Sequence, residues 1–206
     1  MNIGEIKAEA LKLMFAGYDS ISEGTVSGLS ANENYSVYLD GMVGSINRCL
    51  ADLESKDALP AKRVCLRRSA GQITGSKILF DLSALSVGRI LRVSAFQNDS
   101  YFSNCPYDLE EDTLILDGGE DRAYVLIYRP RAKKVSLEDS DNTDVGLPDS
   151  VACLIPYYVK GDLYRDDEPS EAAEARNYYE AGVAALVANR KEDGAQGSVE
   201  NRYDFI

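Results

Sequence analysis

The sequence predicts an α+β fold in which N- and C-terminal helices pack as a bundle, with an inserted antiparallel β-sheet or sandwich. Three observations predict it. Apolar residues recur at helical spacing over residues 1–58, short apolar runs separated by turn residues fill 61–138, and helical spacing returns over 147–191. The chain has 206 residues, 45% apolar and 27% charged, enough to build a real core as one large domain or a domain with an insertion. No internal repeat is visible.

Ile3, Ile6, Ala10, Leu11 and Met14 mark the first helix, with Gly17 as its stop. A polar connection follows. Ser30-Ala31-Asn32-Glu33 fits a capping box, and behind it Tyr35, Tyr38, Leu39, Met42, Val43, Ile46, Leu50 and Leu53 trace one face of a second helix. In the middle region Arg63–Arg67, Gly88–Val93, Thr113–Leu116, Ala123–Tyr128 and Val135–Leu137 read as strands, and Asp117-Gly118-Gly119-Glu120 as a turn. Gly71–Lys77 superficially resembles a phosphate loop. Three residues stand between its glycines where a phosphate loop has four, and Ser76 separates Gly75 from Lys77, so a hairpin turn is the reading.

Pro148 suits a first helical turn, and Val151, Leu154, Ile155, Tyr158, Val159 and Leu163 share a face. Pro156 falls inside that pattern, so the helix kinks there or begins near it. Acids 166–168 before Pro169 restart a helix whose buried stripe is Ala172, Ala175, Tyr179, Val183 and Leu186, with Glu174 and Arg176 outward. In Tyr157-Tyr158 and Tyr178-Tyr179 one ring of each pair should be core and the other outward. Residues 192–206 read as an extended tail ending in Tyr203, Phe205 and Ile206.

Composition excludes whole classes of chemistry. There is no histidine, so no Ser–His or Cys–His couple and no imidazole-ligated metal can form. Cys49, Cys65, Cys105 and Cys153 are too far apart for a CxxC site and read as hydrophobic residues in a reducing compartment. Asp139, Asp141, Asn142 and Asp144 lack the glycine and glutamate of a calcium loop. Seven acids from Asp108 to Asp121 lack a spacing that picks out a catalytic pair, so Glu110 and Asp112 stand only as the candidates of a carboxylate hydrolase. No cofactor, no metal and no catalytic residue are expected. No run approaches the roughly 20 apolar residues of a membrane span, and the start is an amphipathic helix rather than a signal peptide. A soluble protein made in a cytoplasm is the expectation.

Thirty-four acids against 22 bases give a net charge of −12, which disfavours nonspecific nucleic-acid binding. The bases are gathered at Lys62, Arg63, Arg67 and Arg68, and again at Arg129, Arg131, Lys133 and Lys134. They read either as solvated strand edges or as surfaces complementary to neighbouring copies in a ring, with Arg67, Arg68, Arg129 and Arg131 as the inter-subunit candidates.

Leu147-Pro148-Asp149, then 154–159 (Leu-Ile-Pro-Tyr-Tyr-Val), 162–169 (Asp-Leu-Tyr-Arg-Asp-Asp-Glu-Pro) and Ala172 through 176–180 (Arg-Asn-Tyr-Tyr-Glu), resemble the C-terminal helical region of tailed-bacteriophage head–tail adaptor (connector) proteins. The Gly4-Glu5-Ile6 helix and the strand-rich middle ending in Tyr124–Tyr128 with Arg129-Pro130 are similar to the larger adaptors that carry a β insertion. The resemblance implies a structural virion protein at the head–tail junction, not an enzyme. It implies a ring of copies of itself, a dodecamer, that joins the portal protein to tail or nozzle proteins. DNA would pass through the ring without specific binding. It also implies that the C-terminal segment docks on the portal, with Tyr203, Phe205 and Ile206 as the contact residues. The alternative is a β-sandwich binding module of a phage tail or baseplate that recognises glycan or another virion protein through Tyr101 and Phe102 beside Asn98 and Asn104.

Overall fold

A computed structural model describes residues 1–15, 21, 26, 28–29, 33–67, 70–97, 100–102, 104–117 and 123–195. The fold is α+β, and the described chain divides into two units. One joins Met1–Leu59 to the chain from Ala132 onward, and the other is built on Pro60–Arg131.

The helical unit holds α1 (Ile3–Met14), α2 (Glu33–Ser55), α3 (Asp149–Ala152), α4 (Ile155–Leu163) and α5 (Pro169–Ala195). The α1 start is a capping box: Asn2 Oδ1 accepts from the Glu5 amide at 2.8 Å, and Glu5 Oε2 accepts from the Asn2 amide at 2.9 Å. The box expected at Ser30–Glu33 and the stop at Gly17 lie outside the described residues. All five residues of the predicted α1 stripe are buried, and so are Met42, Ile46, Leu50 and Leu53 of α2. These pack into one core with Ile155 and Val159 of α4 and Tyr179 of α5, so helices from both ends of the chain share it.

At the far end of α1 the unpaired carbonyls of the last turn find partners on α4. Lys160 Nζ donates to Leu13 O at 2.8 Å, and the Tyr164 hydroxyl donates to Met14 O. Phe15 then meets Tyr35, Tyr38 and Tyr164 edge-on, with centroids 4.9, 5.5 and 6.3 Å away. Pro156 stands at the start of α4, the second of the two outcomes its position allowed.

Three expectations need correction. Val135–Leu137 is not a strand, because Val135 turns into the helical core and its backbone is bonded by the Asn47 side chain. Arg176 does not face outward: its guanidinium lies 4.1 Å from the Tyr158 ring centroid, where a cation over a π face is favourable. Helix α5 runs to Ala195, past the expected start of the tail.

Among its described residues the second unit is a two-layer sandwich of eight antiparallel strands: β1 (Lys62–Arg67), β2 (Gln72–Thr74), β3 (Lys77–Asp81), β4 (Val87–Gln97), β5 (Ser100–Phe102), β6 (Tyr107–Glu110), β7 (Thr113–Asp117) and β8 (Ala123–Pro130). One sheet has the order β1-β8-β4-β5 and the other β2-β3-β7-β6. Their inner faces share one core containing Ile78, Phe80, Leu114, Leu116, Val93, Tyr124 and Leu126. Gly71–Lys77 forms a hairpin, with Thr74 opposite Lys77 and Gly75 at φ +62°, where glycine carries no Cβ penalty. The expected turn at 117–120 lies outside the described residues beyond Asp117. Among the described residues no helix is long and apolar enough to cross a membrane.

Candidate functional site

Strand pairing decides which basic side chains meet, because residues directly opposite in an antiparallel pair share a face. On β8, Tyr124, Leu126 and Tyr128 point into the sandwich core, so Val125, Ile127 and Arg129 belong to the outer face. Opposite them on β1 stand Arg63, against Ile127, and Cys65, against Val125; Arg67 joins the same face against Ala123. On β4, Arg89 pairs with Arg129 and Arg92 with Ile127. Five arginines therefore lie on one sheet face.

Of the predicted inter-subunit residues, Arg67 and Arg129 share that face at opposite ends of β8, Arg67 exposed and Arg129 half-buried. Arg131 stands just past β8, where its backbone amide donates to Ser86 O at 2.7 Å and its guanidinium lies 3.9 Å from Asp112. Arg68 lies outside the described residues, as do Tyr203, Phe205 and Ile206. Sequence reading missed Arg89 and Arg92. Three positions apart in a regular strand they would point to opposite faces, but a bulge between Ile90 and Arg92 places both outward. Nothing in the local sequence announces that bulge.

The acidic residues of the sandwich strands lie on the β2-β3-β7-β6 sheet. Asp108 lies 3.6 Å from Lys77, and the Asp112 carbonyl accepts from the Leu82 amide at 2.8 Å. Glu110 ends β6 opposite Thr113, and Asp112 stands in the turn between β6 and β7. The acidic loop after residue 138 is used structurally: the Asp141 and Thr143 carbonyls accept from the Gly4 and Ile3 amides at the α1 start, and the Asp141 carboxylate pairs with Lys7 at 2.7 Å. Asp139 Oδ2 accepts from the Ser136 amide at 2.8 Å, and Asp144 Oδ1 accepts from the Gly146 amide. No three Cys, Asp or Glu side chains among the described residues are placed to hold a metal ion. Tyr101 and Phe102 sit on β5 against Phe96 and Ala95, with their side chains outside the description.

Two features stand out in the helical unit, a polar network and a groove. In its core the Tyr179 hydroxyl donates to Asp52 at 2.7 Å, and Lys56 bridges Asp52 and Glu180 at 2.8 and 2.7 Å. Burial pushes the neighbouring Cys49 thiol up to about 12 and raises the Tyr179 phenol well above its usual range, so both stay protonated. This network ties α2 to α5. Separately, a groove of about 360 Å³ is lined by Leu13, Cys153, Leu154, Pro156, Tyr157 and Tyr178, among others. There the Tyr157 and Tyr178 rings stack 4.1 Å apart, while Tyr158 and Tyr179 meet edge-on at 5.0 Å in the core. Each tyrosine pair is split between core and surface, as its helical position requires.

The described residues thus present an arginine-rich sheet face and an aromatic groove. No protein-family model matches the chain, and no curated protein matches it.

Proposed function

We propose that this chain is a structural, non-enzymatic virion component that assembles into a ring, joins the portal to the tail and continues the DNA channel. The observation that carries the reading is where the charge sits. Residues 1–59 and 132–198 hold 23 acids and 11 bases, the whole net charge of the protein, whereas residues 60–131 hold nine acids and ten bases. A helical lining with that excess repels phosphate, so a duplex can slide past it without adhering. The near-neutral sandwich, with its signs segregated, suits contact with other protein surfaces. Tyr203, Phe205 and Ile206 are assigned to portal docking, and tail or nozzle proteins to the opposite rim. Assembly takes place in the host cytoplasm, and the mature site is the head–tail junction.

The test is the mass and shape of the purified protein with and without portal protein, by light scattering and electron microscopy. A closed ring, alone or seated on the portal, is the expected result. A monomer at every concentration that leaves the portal unoccupied would overturn the proposal.

A further inference from the structure

The two sheets of the sandwich carry opposite charge. Strands β1, β4, β5 and β8 contain six bases and no acid, and strands β2, β3, β6 and β7 contain four acids and one base. All of them but Lys62, which stands opposite the core residue Tyr128, lie on the outer faces. In the second sheet Ile78, Phe80, Leu114 and Leu116 point into the core, which places Asp81, Asp108, Glu110 and Asp117 outward together with Lys77. All four acids are exposed, as are Arg63, Arg67, Arg89 and Arg92 on the opposite side.

The rows match in spacing as well as sign. Across the basic sheet, Arg63, Ile127 and Arg92 stand in register on three adjacent strands. Across the acidic sheet, Glu110, Thr113 and Asp81 do the same. Neighbouring strands are about 4.8 Å apart, so each row sets its outer charges about 10 Å apart around an uncharged centre. Beside them Ile115 and Leu79 pair on the acidic face, both half-buried, which gives each face an apolar middle.

We infer that sandwiches of neighbouring copies pack face to face, the basic sheet of one on the acidic sheet of the next. The inference rests on the ring reading and deepens it by naming the contact. The contact uses a different surface on each copy, so every added copy leaves one basic and one acidic face open. Such a head-to-tail series continues until rotation closes it into a ring. A nucleic acid would answer the basic face alone; a second copy answers both, with matching spacing. Arg63 and Arg92 face Glu110 and Asp81 across the interface.

The experiment compares the full-length protein with Arg63→Glu/Arg92→Glu, with Asp81→Lys/Glu110→Lys, and with the fourfold charge swap. Assembled mass is read by light scattering at about 0.1 and 0.5 M salt, and thermal midpoints confirm folding. Each pairwise reversal should weaken self-association by at least about 100-fold, and the swap should restore it. The basic-face reversal stands by itself if the Asp81 variant fails to fold. A ring that forms regardless of every reversal overturns this contact and leaves the ring reading standing. A wild-type monomer that also ignores the portal overturns both. Reversals that abolish binding of duplex DNA while leaving assembly intact overturn the contact in favour of a nucleic-acid face.

Discussion

Asn47 holds Val135 by both ends of its carboxamide: Nδ2 donates to the Val135 carbonyl and Oδ1 accepts from the Val135 amide, each at 2.8 Å. The side chain stands where a neighbouring strand would otherwise be. Val135 is buried, so replacing Asn47 with leucine strands two backbone groups without partners. The expected loss is about 2 to 4 kcal/mol of unfolding free energy, read from urea denaturation. An Asn47→Leu protein as stable as wild type would show that water reaches these groups.

Gly161 lets α4 lie tightly against α5. A Cβ there would lie 3.1 Å from Ala172 O and 3.3 Å from Arg176 N, both backbone atoms that cannot swing aside. Alanine has the better helix propensity by about 1 kcal/mol, yet Gly161→Ala should lower stability by about 1 to 2 kcal/mol, because the helices must separate. Calorimetry on the pair decides which effect wins.

The four thiols should separate into classes. Cys65 and Cys153 are exposed, Cys105 is half-buried and Cys49 is buried with its pKa pushed up to about 12. A thiol reagent at pH 8 should label Cys153 quickly, label Cys65 quickly only where its sheet face is not covered by a neighbouring copy, and reach Cys49 only on unfolding. Rapid labelling of Cys49 in the folded protein, located by peptide mass mapping, would mean that the α2–α5 network opens readily.

Alkali should unfold the helical unit in a defined window. Burial first, then the Tyr38 phenol and the carboxylates of Glu171, Glu168 and Asp167, push the Tyr164 phenol up to about 12 from an ordinary 10.0. Cys49 is raised likewise from 9.0. On raising the pH the unfolded chain releases these protons first, so their stabilising effect is complete below pH 9 and is lost between pH 9 and 12. For Tyr164 the change reaches roughly 2 to 3 kcal/mol. Thermal midpoints should fall across that window. Tyr164→Phe should start lower at pH 7, for want of the bond to Met14 O, and then fall less steeply.

The α+β class was legible in the sequence because its signals are local. The α2 stripe from Met42 to Leu53 and the split tyrosine pairs follow from a period of 3.6 and need no partner to be seen. Val135–Leu137 misled because its alternation resembles a strand, while its true partner, Asn47, lies 88 residues away. Strands β2 and β5 are three residues long, too short to display a period. At the candidate surface Arg67 and Arg129 were legible as clustered charge. Arg89 and Arg92 were not, since a bulge set by tertiary packing reverses the face that spacing assigns.

The chain returns to the helical unit at Ala132, whose amide donates to Glu54 at 2.9 Å in the last turn of α2, five residues before Leu59 ends the outgoing segment. Departure and re-entry are therefore fastened at a single helix end. The stretch from Pro60 to Arg131 is an insertion between two points of the helical unit's chain. A protein in which a short linker replaces it should keep the helical core, read as a cooperative thermal transition of a helical chain.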